Sequence, residues 1–246
     1  MGKKCTRRFT LKSFFHVLLG ALNIEKGFLH TLIMLFTRPG IVVNDYLSGK
    51  TKPYYNPFNY LLISAAVYAF LLLWLDIYDT NVESATDIIN SMNKAMENNE
   101  EALQFQQRWM EFYRQYVNFV PLFMIPFTSL ISKWFFRSHK LFYGEHLILN
   151  CFVFAQSFFI TILLTPLAAA SSSIMSFFPI LSLIATLAYL SFAYYKTFRE
   201  SVFESIMGTI LIYVTGMVLF ILVFMILFIA FILIFVLMGY SISDLL

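Results

Sequence analysis

Apolar positions fall into two patterns along the chain: helical stripes before residue 57 and unbroken runs after it. Leu11, Phe14, Phe15, Leu18 and Leu22 recur at helical spacing, with Lys12, His16 and Asn23 on another face. That spacing predicts an amphipathic helix suited to lying in a membrane interface. A second, apolar helix is expected over residues 27–36. A third, short one is expected over residues 39–47, with Pro39 early and Gly49 as its C-terminal stop. Together they make an interfacial or re-entrant layer over residues 1–56.

The unbroken runs cover about residues 58–75, 117–136, 147–168, 176–195 and 206–238. The first four are near the roughly 20 residues that cross about 30 Å of hydrocarbon as a helix. Barrel strands alternate, and these runs do not. The expected fold is therefore all-α: a polytopic membrane helical bundle of about five spans over residues 57–246, with the amphipathic layer beneath. The fifth run has no charge and is longer than one crossing needs, so it tilts or projects. Asn56 and Pro57 open the first span, as N-cap and first helical residue. Between the first two spans, residues 76–116 turn rich in Asn, Glu and Gln while keeping an approximate helical period, which predicts a helical outer loop.

Composition agrees with this pattern. Apolar residues are 59% of the 246 and charged residues 13%, about half the charge of a soluble domain. The mean hydropathy is +0.73. With the N-terminus on the cytoplasmic side, fourteen of the 17 Lys and Arg lie in cytoplasmic segments; only Lys94, Arg108 and Arg114 lie outside. The positive-inside rule therefore sets the N-terminus in and the C-terminus out. The basic start of the chain lacks a small-residue cleavage site and is expected to stay as structure. Its cations suit anionic lipid headgroups, and no nucleic-acid partner is expected. Gly208 and Gly216 lie eight residues apart near one face of the fifth run, which suggests a homo-oligomer through that span.

Chemistry-bearing residues are few. Glu145 and His146 stand at the start of the third span, with Asn150 one turn deeper on the face of His146 and Gln156 beyond it. Ionisable groups at the edge of hydrocarbon invite a functional reading, although a carboxylate in a first helical turn is also favoured by the helix dipole. Arg38, Asp45 and Lys50, with His30, lie in the layer on the same side. Arg38, Asp45, Lys50, Asn56, Glu145, His146 and Asn150 are therefore expected to share a polar cluster at the cytoplasmic interface. Pro121 and Pro126 fall in the second span, where each removes a backbone donor. Cys5 and Cys151 have neither disulfide nor metal-ligand spacing. No metal or cofactor is expected, and no motif of a hydrolase, kinase or nucleotide-binding protein occurs.

The order R-x-T (Arg8, Thr10), G-F-x-x-T (Gly27, Phe28, Thr31), R-P-G (Arg38, Pro39, Gly40), Y-x-x-G-K (Tyr46, Gly49, Lys50), Y-x-N-P-F (Tyr54, Asn56, Pro57, Phe58) and E-H (Glu145, His146) resembles an uncharacterised family of bacterial multi-pass membrane proteins, a domain of unknown function. Members often carry a C-x-x-C-G zinc ribbon ahead of the R-x-T. Here only Cys5 stands there, so no zinc site is implied. The resemblance implies that these motif residues form one unit, and it brings no activity. Three functions remain open: a non-enzymatic accessory, sensor or scaffold subunit; a transporter or channel for a small solute or ion; and a lipid-acting enzyme using Glu145 and His146.

Overall fold

A computed structural model describes residues 27–74, 108, 120–169 and 172–237. The expected amphipathic helix before residue 27, Cys5 and nearly all of the outer loop lie outside these residues. Among the described residues there are seven α-helices and no strand. They are α1 (Phe28–Thr37), α2 (Pro39–Leu47), α3 (Pro57–Trp74), α4 (Val120–Phe135), α5 (Tyr143–Ala169), α6 (Ser172–Phe198) and α7 (Val202–Leu237); a 3₁₀ turn, Arg137–His139, joins α4 to α5.

Three helices are long and apolar enough to cross a membrane: Tyr143–Leu167 of α5, Phe177–Phe198 of α6 and Val202–Ile234 of α7. The other two expected spans appear as shorter apolar helices, Pro57–Leu72 and Val120–Phe135. Both run up to residues that are not described. α5 is the central element. It packs against α3, α4 and α6, and α7 closes the bundle against α4 and α6. α1 and α2 lie across α5 and α6. The outer surface of α7 stays bare: Phe228 is 52% and Leu233 58% exposed. Its 36 residues reach about 54 Å.

Local chemistry sets the helix ends. Asn56 Oδ1 accepts the Phe58 and Asn59 N–H groups at 3.0 and 3.2 Å, and Pro57 has no N–H to satisfy at the first position. Ser201 and Glu204 cap α7 reciprocally: Glu204 Oε2 accepts the Ser201 N–H at 3.0 Å and Ser201 Oγ accepts the Glu204 N–H at 3.2 Å. Pro126 lies inside α4, where it removes an internal helix bond.

Gly208 and Gly216 do not face outward. A Cβ at Gly208 would lie 2.6 Å from Phe135, and one at Gly216 2.7 Å from the Thr128 methyl. The small-residue face of α7 is therefore spent on a close crossing with α4 inside one chain. The basis in sequence for association through those glycines is accounted for by that crossing.

Candidate functional site

α5 begins four residues before the apolar run does, and this places Glu145 and His146 in its first turn. Phe142 is the residue ahead of the helix, and Glu145 Oε2 accepts its N–H at 2.6 Å. The carboxylate thus satisfies an orphan donor of its own helix. His146, one residue on, is fully buried against α4.

Around His146 the bundle holds a connected set of polar side chains. Ser132 Oγ lies 2.9 Å from His146 Nδ1. Ser129 Oγ donates to the His146 carbonyl at 3.4 Å. Asn150 Nδ2 donates to Ser129 Oγ at 2.9 Å, and Tyr194 OH donates to Asn150 Oδ1 at 2.7 Å. Ser129 and Ser132 are three apart on α4, His146 and Asn150 four apart on α5. Each pair therefore shares one helix face, and Tyr194 reaches them from α6. All five residues are buried.

One atom stays open. Among the described residues His146 Nε2 has no hydrogen-bond partner. Neutral imidazole carries one donor and one acceptor, and Ser132 engages a single nitrogen. Either tautomer leaves Nε2 unsatisfied, at a cost of about 1–3 kcal/mol. The His146 ring also stacks near Phe198, with centroids 6.0 Å apart, and Phe198 stacks on Phe136 at 4.0 Å. Beyond this aromatic layer, His139 Nε2 meets Glu200 Oε1 at 2.8 Å, half-buried.

A serine hydroxyl at this distance from an imidazole has the spacing of an activated nucleophile. Ser132 and His146 are both sealed in, and no carboxylate among the described residues orients the ring. No group of three or more His, Cys, Asp or Glu able to hold a metal occurs among them either.

The expected single cluster separates into parts. Asp45 pairs with Lys50 at 3.0 Å and accepts from Tyr54 OH at 3.1 Å, at the exposed end of α2. The hydrogen bond from Lys50 holds the Asp45 carboxyl below its ordinary value, aided by Tyr54. Arg38 sits in the break between α1 and α2, where its N–H donates to the Met34 carbonyl. Asn56 caps α3. Among the described residues no hydrogen bond or ion pair joins Glu145 or His146 to Arg38, Asp45 or Lys50. The reason is local: Glu145 meets the Phe142 N–H and Asp45 meets Lys50, each within its own segment. The layer does meet α5, but through Tyr46 on Phe152, with ring centroids 5.3 Å apart.

What ties the layer to the bundle is a second set of polar contacts. Tyr60 OH donates to Gln156 Oε1, and Gln156 Nε2 donates to the Leu32 carbonyl at 3.5 Å. Tyr189 OH donates to the Leu35 carbonyl at 3.0 Å. Asn44 Nδ2 donates to the Thr197 carbonyl at 3.5 Å. The segment carrying these contacts is recognisable by sequence.

Residues 25–69 match the model of DUF3667, a protein family of unknown function. No curated protein and no solved structure matches the chain.

The part that matches DUF3667 contains α1, α2 and most of α3, and its motif residues have identifiable structural uses. Gly27 has φ +92° and lies so close to the turn ahead of α3 that a Cβ would stand 3.1 Å from the Pro53 carbonyl. Phe28 packs edge-on to Tyr55 and Phe159. Thr31 Oγ1 accepts the Tyr55 N–H at 2.8 Å and donates to the Gly27 carbonyl at 2.7 Å. Gly40 lies against the backbone of Lys196. Gly49 turns the chain at φ +89°. Asp45, Lys50 and Tyr54 close the turn that returns to Asn56. The DUF3667 match thus coincides with a clasp that holds α1–α3 on α5 and α6.

Sequence reasoning found Glu145, His146, Asn150 and Gln156 but missed Ser129, Ser132, Tyr60, Tyr189 and Tyr194. The signal for the serines was present as an i, i+3 pair in an apolar run. The tyrosines look like interfacial anchors until the fold places their hydroxyls inside.

Proposed function

We propose that this chain is a five-span protein of a bacterial inner membrane, N-terminus in and C-terminus out, acting as a non-enzymatic accessory, sensor or scaffold subunit. One observation carries the choice. Tyr60, Gln156, Tyr189 and Asn44 spend their polar groups on contacts that clasp the DUF3667-matching segment onto α5 and α6. A clasp of this kind fixes a shape; a transport route needs such groups turned toward a cavity. The exposed Lys50 and Lys52 suit anionic headgroups beneath the bundle, and the bare face of α7 leaves area for a partner or a second copy in the membrane plane.

Solute or ion transport is the second reading, and it draws on His146 Nε2, a buried ring nitrogen with no protein hydrogen-bond partner among the described residues. Two measurements separate the readings. Reporter fusions after Lys140 and Arg199 are expected to signal cytoplasm, and fusions at Glu100 and after Leu246 the outside. Proteoliposomes holding the protein are expected to show no proton or ion flux above empty vesicles under a pH gradient. A cytoplasmic signal at Glu100 overturns the topology, and flux that His146→Phe abolishes moves the function to transport.

A further inference from the structure

Where α6 runs into α7, the two helices line a groove of about 600 Å³, whose walls include Ile184, Ala188, Phe192, Tyr195, Ile206 and Ile210. Its size falls within the roughly 300–1,000 Å³ of small-molecule sites. Its two lining serines do not face the space with free hydroxyls: Ser191 donates to the Leu187 carbonyl and Ser205 to the Ser201 carbonyl, at 2.8 and 2.9 Å. The walls are hydrocarbon. From Ile184 to Tyr195 the groove follows α6 for about 16 Å at 1.5 Å per residue. That is about half of the 30 Å hydrocarbon core, the depth of one leaflet.

Lys196 stands at the polar end. Its Nζ lies 5.0 Å from the Tyr195 ring centroid and 5.7 Å from that of Phe192, two walls of the groove. The acids nearest in sequence are occupied elsewhere. Arg199 adopts φ +58° and ends α6, so Glu200 leaves the helix direction and pairs with His139. Glu204 caps α7. Among the described residues Lys196 has no carboxylate partner. An ammonium without a counter-ion, held by cation–π contact over the mouth of a leaflet-deep apolar groove, matches a molecule with a phosphate at one end and a hydrocarbon chain at the other.

We infer that the α6–α7 groove is a binding site for an anionic phospholipid of the cytoplasmic leaflet, with one acyl chain between Ala188 and Ile206 and its phosphate on Lys196. The inference rests on the membrane reading of the chain, which the reporter fusions test separately. The experiment reconstitutes the full-length protein in nanodiscs of equal phosphatidylglycerol and phosphatidylcholine, and reads retained lipid by native mass spectrometry. One Lys near the surface contributes enough for about a five-fold preference for the anionic lipid. Lys196→Gln is expected to bring the ratio to parity and Lys196→Arg to keep it. Ala188→Trp, which fills the groove at an exposed position, is expected to remove a retained lipid of either headgroup. Equal melting temperatures across the variants show that folding is intact. An unchanged preference in Lys196→Gln, or an unchanged lipid count in Ala188→Trp, overturns the assignment.

Discussion

Gly40→Ala is expected to loosen the whole DUF3667-matching segment from the bundle. A Cβ at this position would stand 2.1 Å from the Lys196 carbonyl oxygen and 2.5 Å from its carbon. Both are backbone atoms of α6, so no side chain can swing aside. α2 must lift, and the Asn44 contact that spans the same crossing stretches with it. Overpacking of this kind costs about 1–3 kcal/mol, and weakening that hydrogen bond adds about 1 kcal/mol. Two other glycines calibrate the result. Gly144 is helical and has nothing within 4 Å, so Gly144→Ala is expected to be neutral or slightly stabilising. Gly49 also has open space but sits at φ +89°, so Gly49→Ala meets only backbone strain, about 1–2 kcal/mol. Thermal melting of the purified protein is expected to rank Gly40→Ala lowest, then Gly49→Ala, then the parent and Gly144→Ala together. Equal tolerance at Gly40 and Gly144 would show that α2 does not rest on the α6 backbone.

The same residues show what the sequence made legible. Helix starts and stops were readable wherever chemistry is local. Asn56-Pro57, Pro39 and Gly49 each act through backbone groups within a few positions, and α2 covers the expected residues 39–47. The apolar runs located three long helices, though α5 and α6 each begin four residues early. Polar residues such as Tyr143, Glu145 and His146 end an apolar run without ending a helix. Partner choice was not legible. Glu145 and Arg38 share a side of the predicted bundle, which suggested an ion pair. Burial of charge favours the nearest available donor, and for Glu145 that is the Phe142 N–H three residues away. Nor could periodicity tell a small-residue face meant for another copy from one meant for α4. The close approach of Gly208 and Gly216 to Phe135 and Thr128 depends on where α4 lies, and α4 is more than seventy residues away in the chain.

Asn150 and His146 belong to one buried network yet are expected to respond unequally to removal. Asn150 joins α4 to α6: its amide donates to Ser129 and its carbonyl accepts from Tyr194. Asn150→Leu keeps the branched outline of four side-chain heavy atoms and withdraws both contacts. Ser129 can still donate to the His146 carbonyl, and Tyr194 OH keeps only its contact with Ser132. The two lost bonds, at about 1 kcal/mol each, give a cost of about 2 kcal/mol. His146→Phe removes a ring that already carries an unsatisfied nitrogen. Only Ser132 loses a partner, and a serine inside a helix can turn its hydroxyl to the carbonyl one turn back. The aromatic replacement also keeps the contact with Phe198. His146→Phe is therefore expected to stay within about 1 kcal/mol of the parent, since the loss at Ser132 and the relief at Nε2 are of similar size. Chemical denaturation of both variants in the same detergent measures the difference. If His146→Phe destabilises as much as Asn150→Leu, then Nε2 is bonded in the working protein to water or a ligand. The network is then a binding site and not a brace between helices.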